Sequence, residues 1–205
     1  MKILLIDTAN SFVTVSIIEN EKLLYYFHEQ IISDMASKII PIIDDAFNKV
    51  NFKLEDIDKI FVCNGPGSFT GIRVGVTVAK TIAWALKKEI VPISSLELMA
   101  TTNTTKKYLV PMIDARRGNV FGAIYDKKLD CIKKDKLINI NELINNLNSD
   151  YEFISYDNIS QKDVIKPNID VIKIVNKHKN DKGINPHNLN PNYLKLTEAE
   201  ENKRG

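Results

Sequence analysis

Between Asn64 and Ala83 the chain reads N-G-P-G-S-F-T-G-I-R-V-G-V-T-V-A-K-T-I-A, which gathers Gly65, Gly67, Gly71 and Gly75, four of its eight glycines, into one stretch. Glycines spaced this way before and within a helix suit three purposes: close packing of the helix on its own sheet, a cradle for an anion at the helix start, or a face that receives a partner protein. The anion reading can be checked on spacing. A Walker loop needs G-x-x-x-x-G-K-[ST], but counting from Gly65 the matching positions hold Thr70 and Gly71, and no lysine follows until Lys80. A dinucleotide fingerprint needs G-x-G-x-x-G, and Thr70 stands where its third glycine belongs. Both nucleotide motifs therefore fail.

Other chemistry-bearing residues are sparse. Asp7 and Asp114 each close an apolar run, Ile3-Leu4-Leu5-Ile6 and Leu109-Val110-Pro111-Met112-Ile113, so two loops present a carboxylate at a strand end. Arg116 and Arg117 follow the second and can contact an anion or pair with a local carboxylate. His28, His178 and His187 form no H-E-x-x-H pattern, which argues against a protein-bound zinc. Cys63 and Cys131 are too few and too far apart for a disulfide framework, as expected of a reducing compartment. No nucleophile, base and orienting group can be placed together. Only four of the 28 basic residues are arginine and the net charge is +2, so composition gives little support to base readout of nucleic acid.

The elements that must position these residues follow from the apolar patterning. Lys2–Asp7, Val13–Glu19 and Lys22–Gln30 read as an antiparallel meander with a hairpin turn at Glu19-Asn20-Glu21. The opening apolar run is too short for a signal-peptide core or a membrane span. Ser33–Val50 reads as a helix whose apolar surface is wider than one stripe, and Pro41 inside it predicts a kink or a late start. Ile60–Cys63 reads as a strand feeding the glycine loop, with Ser68 or Thr70 capping the helix beyond. On that helix Gly71, Gly75, Ala79 and Ala83 fall on nearly one face. Ile90–Ile93 reads as a strand, and Ser94 with Glu97 as a capping box. The polar stretch 101–107 marks the best domain boundary, dividing residues 1–103 from a smaller unit at 104–205. There, Tyr108–Asp114, Asn119–Asp126 and Cys131–Ile138 read as strands, Asn141–Leu147 as a helix, and Tyr151–Ser155 and Val171–Val175 as further strand or helix pieces. The paired strand-to-aspartate openings suggest a weak internal duplication.

These residues resemble the bacterial TsaB (YeaZ-like) family. The resemblance rests on Ile6-Asp7-Thr8-Ala9, Ile39-Ile40-Pro41-Ile42-Ile43, the Gly65–Gly75 block, Ser94-Ser95-Leu96-Glu97, Ile113-Asp114-Ala115-Arg116-Arg117-Gly118 and Pro191-Asn192-Tyr193-Leu194-Lys195, in order along the whole chain. It implies an α/β, actin-like or sugar-kinase-like fold of two mixed-sheet subdomains. It also implies a cytoplasmic scaffold without catalytic, cofactor or metal residues, which supports threonylcarbamoylation of the adenosine next to the anticodon in tRNA. The implied partners are a TsaD-like catalytic paralogue and a TsaE-like ATPase, with tRNA reached through the complex and a homodimer possible when the chain is alone. Partner contacts are expected from the first two helices: Met35, Ile39, Ile42, Ile43 and Ala46 on the first, and Phe69, Gly71, Ile72, Gly75, Val78 and Ala79 on the second. Asp7, Thr8 and Asp114 fall where actin-like ATPases keep their phosphate loops, but the run Asp7-Thr8-Ala9-Asn10-Ser11 has no glycine and two arginines follow Asp114, so those loops read as degenerate. Members commonly carry His-Ser-Glu where this chain has Met35-Ala36-Ser37, and Arg in place of Lys195. The competing reading is a small actin-fold ATPase or kinase with its own nucleotide site.

Overall fold

A computed structural model describes residues 1–145, 150–159 and 162–195. The first half builds a five-stranded sheet from β1 (Lys2–Asp7), β2 (Phe12–Glu19), β3 (Lys22–Gln30), β4 (Lys59–Cys63) and β5 (Ile90–Ile93), in the order β3-β2-β1-β4-β5. The meander β1-β2-β3 is antiparallel, while β4 and β5 add in parallel beside β1. Two helices, α1 (Met35–Val50) and α2 (Phe69–Leu86), supply the crossovers and cover one face. Because the other face is covered as well, β1 is apolar at every position from Ile3 to Ile6 instead of alternating.

A short helix α3 (Ser95–Met99) leads to the second sheet: β6 (Tyr108–Asp114), β7 (Asn119–Asp126), β8 (Cys131–Asn139) and, after α4 (Ile140–Leu143), β9 (Tyr151–Ile154), in the order β8-β7-β6-β9. This repeats the β3-β2-β1-β4 arrangement of the first sheet, with β6 in the place of β1 and Asp114 in the place of Asp7. The duplication suggested by the two aspartate-ended strands is thus present in the topology. Of the helix expected at Asn141–Leu147, residues 146 and 147 lie outside the described residues. Val171–Val175 forms the start of α5 (Val171–His178).

The layers stack as α1 and α2, first sheet, α3 and α5, second sheet, then α4. The middle layer carries the join. Ile3, Leu5, Phe61 and Cys63 from the first sheet meet Ile113, Phe121 and Ala123 from the second around Leu96, Met99, Ile174 and Val175. Ser94 caps α3 through the amides of Leu96 and Glu97, at 3.1 and 3.3 Å. Glu97 does not close the expected capping box. Its carboxylate instead takes Lys177 at 2.7 Å and His178 at 3.0 Å, which ties α3 to α5. A buried carboxylate that can reach two cations gains more from them than from one backbone amide.

Two further sequence readings need correcting. Helix α1 begins at Met35, well ahead of Pro41, so of the kink or late start expected from that proline the late start is not taken, and Pro41 has no amide to donate to the Ser37 carbonyl. The C-terminal segment does not stay with the second sheet. Ile184 exchanges two backbone hydrogen bonds with Ile90 on the edge of the first sheet, and the Asn192 amide donates to the Asn64 carbonyl at 2.7 Å.

Candidate functional site

The two aspartate loops and the start of α2 meet at the mouth of the cleft between the sheets. Two adjoining cavities lie there, of about 330 and 400 Å³, sharing Gly67, Phe69, Asp114, Arg116 and Phe121 in their walls. The first loop is locked onto the glycine block. The Thr8 hydroxyl donates to the Gly71 carbonyl at 2.7 Å, the Ser68 amide donates to the Ala9 carbonyl at 2.7 Å, and the Asp7 carboxylate accepts the Ala9 amide at 2.8 Å. A Cβ on Gly71 would stand 2.1 Å from the Thr8 carbonyl oxygen, and one on Gly75 2.3 Å from the Thr8 hydroxyl. The small-residue face of α2 therefore exists so that the helix can lie directly on the β1 loop.

That outcome decides among the three purposes open to the glycines. Close packing is the one realised. Two donors of an anion cradle are already used, the Ser68 amide by the Ala9 carbonyl and the Gly71 amide by the capping hydroxyl of Ser68 at 3.3 Å, while the buried side-chain amide nitrogen of Asn10 has no partner among the described residues. The partner-face reading fails at Gly71 and Gly75 for the reason just given. It fails equally at Ile39, Ile43 and Ala46 on α1 and at Ile72 and Ala79 on α2, all buried in the layer beneath the first sheet. Apolar width on a helix reports burial, and here the chain itself supplies it. Met35, Ile42, Phe69 and Val78 are only half-buried. The sequence list missed Ile32 and Ile40, which are more exposed than any of these.

Asp7 is 3% exposed, and burial lifts its carboxyl from the ordinary 3.8 to about 6 against the opposing pull of the Ala9 amide. A carboxyl raised on folding favours the native state while protonated, so its contribution is complete below pH 4 and is lost as pH rises to about 6. The loss amounts to roughly 3 kcal/mol. Asp7→Asn keeps an acceptor for the Ala9 amide and is expected to melt higher than the parent at pH 7. Denaturation at pH 4 and pH 7 checks this, and equal differences at the two values would count against a strained carboxylate. The adjacent Cys63 thiol is buried and pushed well above its ordinary range, chiefly by desolvation, so it is not a nucleophile.

The second loop is closed differently. The Asp114 carboxylate accepts the Arg116 amide at 2.8 Å, and its own amide donates to Asp157 at 2.8 Å. Arg116, Arg117 and Gly118 are all left-handed, with φ of 66°, 55° and 75°. The turn thus keeps a backbone suited to glycine while arginine side chains fill two of the positions. Both aspartates act as loop caps. The family motif at Pro191–Lys195 borders the same cleft: Tyr193 stacks on Phe69 at 4.7 Å and accepts a hydrogen bond from Arg73 Nε at 2.8 Å, while the Arg73 guanidinium lies 3.7 Å over the Phe69 ring. Among the described residues no group of three or more His, Cys, Asp or Glu side chains could hold a metal.

Comparison with known proteins fits this geometry. Residues 29–167 match the family model described as TsaD: tRNA N6-adenosine threonylcarbamoyltransferase. The tRNA threonylcarbamoyladenosine biosynthesis protein TsaB of Bacillus subtilis is 29% identical over 98% of this chain and 96% of its own length. The chain belongs to this family as one of its TsaB members. YeaZ from Pseudomonas aeruginosa shares the fold at a TM-score of 0.80 and 18% identity, covering 94% of this chain and 99% of that one. A tRNA N6-adenosine threonylcarbamoyltransferase of Persephonella marina is 31% identical over 47% of this chain but only 33% of its own length. The two-subdomain actin-like α/β fold implied by the TsaB resemblance is the fold of the family.

Proposed function

We propose that this chain is the non-catalytic subunit of a tRNA threonylcarbamoylation complex. In this reading it stabilises a TsaD-like catalytic paralogue that modifies the adenosine next to the anticodon, and a TsaE-like ATPase works on the pair. Membership of the TsaB family supports the process. The observation that carries the non-catalytic role is the first loop, which holds no glycine between Asp7 and Ser11 for close phosphate approach and whose Thr8 hydroxyl, Ala9 carbonyl and Asp7 carboxylate bond to Gly71, Ser68 and Ala9. No helix among the described residues is long and apolar enough to cross a membrane, which agrees with a place beside cytoplasmic tRNA.

The partner surface is then the exposed crown of α1 and its junction with α2. It comprises Ile32 and Ile40 with the half-buried Met35, Ile42, Val74 and Val78. A stable pair needs at least about 1,000 Å² of total buried area, more than these side chains supply alone, so their polar neighbours form the rim. Self-pairing through the same crown in the absence of the paralogue follows from two-fold closure.

Reconstitution tests the function. Purified TsaD-like and TsaE-like proteins, tRNA, ATP and a preformed activated threonylcarbamoyl donor are expected to yield modified tRNA with this chain present and close to none without it. Equal modification in its absence would overturn the proposal.

A further inference from the structure

The outer face of α2 carries a stripe that neither the core nor the proposed partner crown uses. The 18 residues of α2 include no aspartate or glutamate. Arg73, Lys80 and Trp84 recur at intervals of seven and four, which places them along one side of the helix over about 17 Å, with Lys80 Nζ donating to the Leu189 carbonyl at 2.9 Å and Lys87 and Lys88 following in the turn that ends the helix. Val74 and Val78 point to the α1 side instead, within the layer beneath the first sheet. Trp84 is the chain's single tryptophan and is 63% exposed. It walls a groove of about 630 Å³ whose other side is the turn holding Pro186 and His187, with Lys87 and Lys88 at its end. The acid at this groove, Glu89, already accepts the Gly183 amide at 3.1 Å. At the far end of the stripe the Arg73 guanidinium is held flat by Phe69 and Tyr193.

A large aromatic ring whose neighbouring cations outnumber the one carboxylate, Glu89, is a poor hydrophobic interface, since closing an apolar protein surface over it would strip water from lysines that it cannot pair. A polyanion with flat faces meets both requirements: a base stacks on the indole while its phosphates neutralise the lysines. Lysine, a mobile point charge, suits a grip that does not depend on base identity. We propose that this face of α2 is an RNA-contact surface, with an unstacked base in the groove between Trp84 and His187 and phosphates along Arg73, Lys80 and the Lys87–Lys88 pair. The inference rests on the function proposed above in taking that RNA to be the tRNA under modification.

Trp84 reports on itself, because no other tryptophan contributes to the fluorescence. Titrating the full chain with an unmodified tRNA transcript is expected to quench that emission, with an affinity that falls as salt rises. Trp84→Ala, tested in the reconstituted complex, is expected to raise KM for tRNA about tenfold with kcat and co-purification with the catalytic subunit unchanged. Lys87→Ala with Lys88→Ala is expected to lower the slope of log affinity against log salt by about 1.4. Absence of quenching by tRNA, quenching by poly-glutamate in its place, or loss of co-purification in Trp84→Ala would each overturn the proposal, the last two by giving the groove to a protein. Quenching by tRNA from a chain that fails to support modification would separate the two readings, sparing the RNA surface and removing the function.

Discussion

Gly71→Val is expected to abolish the folded state, although valine in place of a helical glycine usually changes stability by only a few tenths of a kcal/mol in the favourable direction. The sign reverses because a Cβ at this position would lie 2.1 Å from the Thr8 carbonyl oxygen and 3.2 Å from its carbon, both backbone atoms of the loop leaving β1. That loop cannot yield cheaply. It is fastened by the Thr8 hydroxyl to Gly71 itself and by the Ala9 carbonyl to the Ser68 amide. Moving α2 outward would instead uncover Ile72, Val76 and Ala79, which lie against the first sheet. Either adjustment costs several kcal/mol from a total of about 5–15, so circular dichroism and urea titration are expected to show an unfolded or aggregated chain. Gly118→Ala is the control. Nothing lies within 4 Å of its added Cβ, and its φ of +75° costs about 1 kcal/mol, so it should express and melt close to the parent. A Gly71→Val protein that melted with the parent would mean that α2 does not rest on the β1 loop.

The second large effect separates core from surface on a single helix. Ile43 is 5% exposed and packs in the layer that holds Ile39, Ala46 and Phe47, whereas Ile40, three residues earlier, is 53% exposed. Ile43→Glu buries a carboxylate in a layer of apolar side chains and is expected to cost about 3–5 kcal/mol, enough to unfold a marginal domain. Ile40→Glu meets water and is expected to change stability by less than about 0.5 kcal/mol while abolishing co-purification with the TsaD-like partner. Melting curves and pull-down on both variants distinguish the two. A stable Ile43→Glu protein would contradict the packing, and a paired Ile40→Glu protein would contradict the proposed crown. Gly75→Arg belongs with Ile43→Glu, because its side chain would enter the space of the Thr8 hydroxyl.

Much of this organisation was legible along the chain because its signals are local. Lys2–Asp7, Lys22–Gln30, Ile90–Ile93, Tyr108–Asp114 and Asn119–Asp126 announce themselves as strands by runs of β-branched and aromatic residues between turn formers, and each is a strand with those bounds. Ser68 and Ser94 cap helices because a hydroxyl two or three residues ahead of unpaired amides is a short-range device. The failed nucleotide motifs were equally readable, since a phosphate loop is a spacing rule within one segment. The weak duplication could be suspected from two aspartates, but its confirmation needed strand order, a property of pairing between distant segments.

What the residues alone determined, then, is which segments are strands and helices, where they turn, and which family motifs they carry. Tertiary structure decided which apolar residues face inward. Gly71 and Ile43 look the same on a helical wheel whether a partner or the chain's own β1 loop and sheet covers them, because amphipathic spacing records that a face is dry without recording what keeps it so. It also decided the fate of Glu97, which left its expected box for two cations on α5, 80 or more residues away in sequence. Such long-range choices are made by competition among contacts that exist only once the chain is folded.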